Sequence, residues 1–154
     1  MIRIARTVKA GILGALAMEA FAFAAHQSGL SRLSMSRYEG SMVTRRTDGL
    51  SSRLSGIGAH LLLSMLIALP YAAILERVRS RPPAFGAQLG LVHWLIASLV
   101  LPGLDARNHT VQDGRTPALR RFALGYGPGS VMMFLLGHLL YGAVVAHFYQ
   151  SDSH

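Results

Sequence analysis

Four long apolar segments run through this chain of 154 residues, approximately Val8 to His26, Gly56 to Leu75, Phe85 to Pro102 and Gly127 to Tyr149. A helix crossing a bilayer needs about 17 to 25 mainly apolar residues, and all four segments meet that length. The fold class this predicts is all-α, an integral membrane four-helix bundle forming one domain over 1–154, with two longer loops able to hold short interfacial helices. Away from its ends, each span also contains one Glu or His side chain: Glu19, His60, His93 and His138. Such groups are costly in hydrocarbon and usually face the protein interior or a functional path.

Composition agrees with a membrane setting, since 51% of residues are hydrophobic and only 14% charged, too apolar for an ordinary soluble domain. There is no cysteine, which excludes disulfides, thiolate metal sites, covalent haem attachment and Cys nucleophiles. The net charge of +8 comes from fifteen Lys and Arg. They lie outside the apolar cores in short flanks such as Arg3/Arg6/Lys9, Arg45/Arg46, Arg77/Arg79/Arg81 and Arg120/Arg121, where anionic lipid headgroups are the expected partner and nucleic acid is not. Arg3, Arg6 and Lys9 before an apolar run ending Ala22-Phe23-Ala24-Ala25 have the outline of a secretory signal. Glu19 within that run argues instead for a first transmembrane helix.

Prolines and loops set the expected organisation. Pro70 should kink the second helix, Pro102 end the third, and Pro128 begin the fourth. A tight Arg-rich turn containing Pro82-Pro83 makes the second and third helices antiparallel neighbours. Loop one, Gln27 to Ser55, places Leu30, Leu33, Tyr38 and Met42 either along an interfacial amphipathic helix or in an irregular solvated loop. In loop three, Thr116-Pro117 opens a short interfacial helix over Ala118 to Leu124, stopped by the Gly125-Tyr126-Gly127-Pro128-Gly129 breaker. Asn108-His109-Thr110 matches a glycosylation acceptor by letter only. Flank charge barely discriminates between topologies; the denser flanks and the first helix favour both termini in the cytoplasm.

Helical spacing puts residues three and four apart on one face. Glu19 shares a stripe with Ala15 and Ala22, His60 with Gly56 and Ser64, His93 with Gly86 and Gly90, and His138 with Gly142. Small residues mark close helix contact in membranes, so the ionisable groups are expected to point into the bundle. At about 1.5 Å rise per residue, Glu19, His60, His93 and His138 lie roughly 10, 6, 13 and 16 Å from the end bearing loops one and three. A shared cluster is geometrically allowed, with His93 and His138 the best-matched pair. A buried His that only fixes helix register is the competing expectation. Glu19 should be protonated or paired with a His.

Two sets of candidate ligands follow. His93 and His138 could ligate haem b from facing helices, and Glu19, His60, His93 and His138 together could hold or pass a divalent metal or a proton. The aromatic surface comes from Trp94, Tyr71, Tyr141 and Tyr149, the last assigned to an interfacial belt. Gly-x-Ser-x-Gly, His-Glu-x-x-His and Walker motifs are absent, and no span contains an Asp for an aspartyl dyad. An enzyme is therefore not expected.

The stretch from Leu91-Val92-His93-Trp94 through Leu101-Pro102-Gly103-Leu104, followed by Gly137-His138-Leu139-Leu140-Tyr141-Gly142, resembles a group of uncharacterised small bacterial inner-membrane proteins with four helices. Part of it is similar to YagU-type membrane proteins. The resemblance covers roughly the C-terminal half. It implies a multi-pass protein of the bacterial inner (cytoplasmic) membrane, assigns no activity, and singles out His93 and His138. The expected function is a non-catalytic accessory or interaction subunit, working with a protein partner or as a homo-oligomer.

Overall fold

The computed structural model describes residues 2–78 and 83–150. It is all-helical, with no strand among the described residues. The elements are α1 (Ile4–Gln27), α2 (Met35–Thr44), α3 (Leu50–Leu75), α4 (Pro83–Asp105), α5 (His109–Gln112) and α6 (Pro128–Gln150), with a turn of 3-10 type at Arg121–Tyr126 before α6. Helices α1, α3, α4 and α6 are each long and apolar enough to cross a membrane, so the chain is multi-pass by the length and composition of its helices. The Arg79, Arg81 and Pro82 positions of the predicted turn lie outside the described residues.

The spans run longer than the apolar runs that predict them. Helix α3 starts six residues before Gly56, at Leu50, because Gly49 (φ 91°) turns the chain out of α2 and lets the polar Ser51 to Ser55 stretch wind helically. Helix α4 continues past Pro102 to Asp105, so the expectation that Pro102 ends it is corrected. Pro102 removes one backbone donor, yet the next turn holds, with the Ala106 amide donating to the Pro102 carbonyl at 3.1 Å.

The long helices form an open row in the order α3, α1, α6, α4. Small residues set the close approaches. A Cβ on Gly90 would run into the His138 carbonyl and one on Gly86 into that of Gly142, which brings α4 against α6; Gly14 meets Tyr141 and Val145 across the α1–α6 contact. Helices α3 and α4, although consecutive, scarcely touch. Their expected side-by-side packing is thus corrected: α4 is held by α6 and α3 by α1, and a cleft separates them.

Loop one holds a true helix. Ser34 caps α2 by accepting from the Arg37 amide at 3.4 Å, and Arg45 ends it in a left-handed conformation (φ 58°). Helix α2 packs antiparallel on the start of α3 through paired small residues, Ser36 and Gly40 against Ser52 and Gly56, so it buries Tyr38, Glu39, Gly40 and Ser41 rather than lying free on the interface. Loop three differs from the expected helix over 118–124: α5 lies earlier, and the 3-10 turn is broken by left-handed Phe122 and Ala123 (φ 59° and 61°). Here the tertiary contacts of Asp105 outweigh local propensity. Its carboxylate accepts from the Tyr38 hydroxyl at 2.8 Å and from the amides of Leu119 and Arg120 at 2.7 and 2.8 Å, drawing both loops into one cap. Burial first, then the Asp105 charge, push the Tyr126 phenol in this cap up to about 12.

Asn108 is fully buried, donating to Ser41 Oγ at 3.0 Å and accepting from the Thr110 amide at 3.0 Å. Its side chain is therefore structural. At the far end of the bundle, Tyr149 is also fully buried and donates to Glu76 Oε1 at 2.6 Å, while Arg3 Nε lies 3.4 Å from the same oxygen. This corrects the interfacial-belt assignment of Tyr149. Its hydroxyl ties α6 to the ends of α1 and α3.

Candidate functional site

The four intramembrane groups divide into two neighbouring sets. In the first, His60 projects from α3 between two carboxylates. Its Nδ1 lies 3.3 Å from Glu39 Oε1 and its Nε2 lies 3.7 Å from Glu19 Oε1. His60 and Glu39 are buried, and the Glu19 side chain is about one-fifth exposed. Three helices thus meet on one imidazole. Glu39 is delivered by the close α2–α3 contact: Gly40, next to it, sits on the backbone of Ser52, which carries the Glu39 carboxylate down to the level of His60.

Glu39 is the residue that sequence reasoning missed. It lies in a stretch read as a loop, and the readable signal was the pair of small-residue spacings, Ser36 to Gly40 and Ser52 to Gly56, flanking it and His60.

In the second set, the rings of His93 and His138 stand edge to face with centroids 4.6 Å apart. His138 Nδ1 lies 2.8 Å from the Phe134 carbonyl. That acceptor requires Nδ1 to donate, leaving Nε2 without a proton in the neutral ring. His93 Nδ1 exchanges a hydrogen bond of 3.3 Å with the Tyr71 hydroxyl, one of the few links between α3 and α4. Tyr141 donates to the Ser64 carbonyl at 2.6 Å, joining α6 to α3. Trp94 turns away from this set and packs on Phe122 with ring centroids 5.3 Å apart.

Around these side chains lie two cavities. The larger, of about 480 Å³, occupies the space between α3 and α4. One wall carries Leu63, Ile67 and Ile74 of α3, and the other Leu89, Val92 and Ile96 of α4. The floor is Phe134, His138 and Tyr141 of α6, with His60, Glu39 and His93 at its edge. Leu63, Val92 and Ile96 are about half exposed, so the cleft opens sideways, toward lipid. A smaller cavity of about 30 Å³, rimmed by Glu19, His60, Ser31 and Ser130, lies on the other side of His60 and has room for a water molecule.

The geometry limits what the expected ligands could do. The two nitrogens of His60 point away from each other, so Glu19, His60 and Glu39 do not converge on one point; among the described residues no three of His, Asp and Glu gather closely enough to hold a metal ion. Two imidazoles on one haem iron sit on opposite faces of the macrocycle, whereas His93 and His138 touch. As arranged, they leave no room for a porphyrin between them. What the arrangement does provide is hydrogen bonding between helices and a polar floor to an apolar cleft. No protein-family model, curated protein or solved structure matches this chain.

Proposed function

We propose that the protein is a non-catalytic accessory subunit of a bacterial inner membrane, with both termini cytoplasmic, whose intramembrane His/Glu groups hold the helices in register for a binding role. One observation carries this reading: the polar groups bond between helices and do not converge on a reaction centre. His60 joins α3 to α2 by its hydrogen bond to Glu39 and stands at ion-pair distance, 3.7 Å, from Glu19 of α1. Tyr141 joins α6 to α3 through the Ser64 carbonyl. Helix association in membranes relies on such hydrogen bonds and on small-residue contact. The resemblance of the C-terminal half to small inner-membrane proteins supports the choice of membrane.

Purification of the full chain in mild detergent, with an absorption spectrum and elemental analysis on one sample, tests the proposal. The expected result is no Soret band and no stoichiometric metal, with the His93→Leu/His138→Leu double variant altering thermal stability and assembly and removing no chromophore or metal. A Soret band or a bound metal lost in that variant would replace this reading with the haem or metal one.

The carboxylate, imidazole, carboxylate sequence of Glu19, His60 and Glu39, beside a cavity with room for water, favours one second reading, proton passage. Proteoliposome proton flux that Glu19→Gln abolishes supports it. Flux insensitive to that substitution removes it.

A further inference from the structure

The cleft between α3 and α4 has a shape and lining that select its occupant. Helix α4 lines it from Leu89 to Leu104, a length of roughly 22 Å at about 1.5 Å per residue. Spread over that length, the volume of about 480 Å³ gives atom centres a slot roughly 5 Å across, or roughly 8 Å once atomic radii are included, still narrower than the 10–12 Å diameter of a helix with its side chains. A transmembrane helix of a partner, or of a second copy, is too wide. The volume falls within the range of about 300 to 1,000 Å³ typical of small-ligand sites.

Charge narrows the choice further. Among the described residues no Lys or Arg lines the cleft, and the one carboxylate that does, Glu39, lies against His60. An anionic head, whether phosphate or carboxylate, would therefore enter without a cation to meet it, and burying it so would be costly. The polar groups at mid-depth are neutral hydrogen-bonding types: His93 and Tyr71 bonded to one another, and His138 with its Nε2 left as an acceptor by the Phe134 carbonyl. In either tautomer the Tyr71–His93 pair keeps one N–H or O–H to donate to a neutral carbonyl or hydroxyl oxygen, while His138 Nε2 accepts only from a hydroxyl. Leu63, Val92 and Ile96, half exposed along the opening, suit an aliphatic tail entering from the bilayer.

We propose that the α3–α4 cleft binds one neutral membrane amphiphile, a slender lipid with a carbonyl or hydroxyl head and an aliphatic tail, seated with its head against His93, Tyr71 and His138. Quinones and long-chain prenyl alcohols share this chemistry. The proposal rests on reading the chain as a binding protein rather than an enzyme, and it involves no redox step.

The single tryptophan, Trp94, follows His93 on α4 and supplies the signal. The full chain in phosphatidylcholine nanodiscs is titrated with a decyl-substituted benzoquinone while Trp94 fluorescence is followed, with farnesol and palmitate as competitors. Expected is saturable quenching at one quinone per chain that palmitate does not displace. Displacement by farnesol identifies any neutral oxygen head as sufficient, and no displacement identifies the quinone head as required; either supports the proposal. Val92→Phe and Leu63→Phe, which narrow the opening at half-exposed positions, should each weaken binding at least tenfold with the melting temperature unchanged, and His93→Leu should weaken quinone binding similarly. Quenching that is linear and equal in the wild type and both Phe variants, or displacement by palmitate, overturns the proposal. Saturable binding beside a Soret band or bound metal would leave the cleft assignment standing and defeat only the accessory reading.

Discussion

His60 takes both of its ring nitrogens to carboxylates, and that makes it the costliest residue to remove. Replacing it with leucine strands Glu19 and Glu39 in a low-dielectric setting, where losing one partner of a buried pair costs on the order of 3 to 5 kcal/mol. His60→Leu should lower the melting temperature in detergent sharply. Glu39→Gln keeps an acceptor 3.3 Å from His60 Nδ1 and should cost about 1 kcal/mol, as for an ordinary hydrogen bond. Equal melting temperatures for the two variants would show that the Glu39 charge, and not its hydrogen bond, holds α2 to α3. The pairing of Glu19 with a His was legible from its apolar surroundings. Glu39 was not, because its burial depends on a helix whose partner lies in the next element.

At the scale of elements, contacts between helices are decided by glycine. Gly56 and Gly90 each sit against the backbone of a neighbouring helix, whereas nothing lies within 4 Å of a Cβ added to Gly58. Gly56→Leu and Gly90→Leu should therefore separate α2 from α3 and α4 from α6, at about 1 to 3 kcal/mol or more. Gly58→Ala should leave thermal stability unchanged or slightly raised, because alanine favours helix by up to about 1 kcal/mol. The cap adds a pH dependence. Tyr126 has a folded pKa of about 12 against an unfolded value near 10, so its neutral form is favoured in the fold. Its contribution is fully present below pH 10 and is lost between pH 10 and 12, which a chemical-denaturation series across that range measures. The four spans were readable because hydropathy and length alone specify them. The cap was not, since Phe122 and Ala123 adopt left-handed backbone that no propensity favours, just after Leu119 and Arg120, whose amides Asp105 holds from fourteen and fifteen residues away in sequence.

For the whole molecule, the row α3, α1, α6, α4 leaves one seam open, and the sequence-adjacent pair forms that seam. Sequence reasoning placed α3 beside α4 because a short connection usually means packed neighbours. Here the small residues lie elsewhere: Gly86 and Gly90 of α4 face α6, while the cleft positions Leu63, Ile67, Val92 and Ile96 are bulky. The absence of cysteine makes a direct check simple. A Leu63→Cys/Val92→Cys pair should resist disulfide formation under mild oxidation, and spin labels there should report a wide distance that shortens in neither detergent nor nanodiscs.

The same arrangement orders events during synthesis. Helix α3 contacts both α1 and α2, and the three can associate as soon as they have left the ribosome. Helix α4 has no such welcome. Its principal partner among the spans is α6, the last of the four in chain order, so α4 must wait in the bilayer through the whole of the cap segment, 106–127. During that interval its glycine face is open to lipid and to any passing helix. The 23 residues of α6 therefore close the row, and the four spans come together only once α6 has been made.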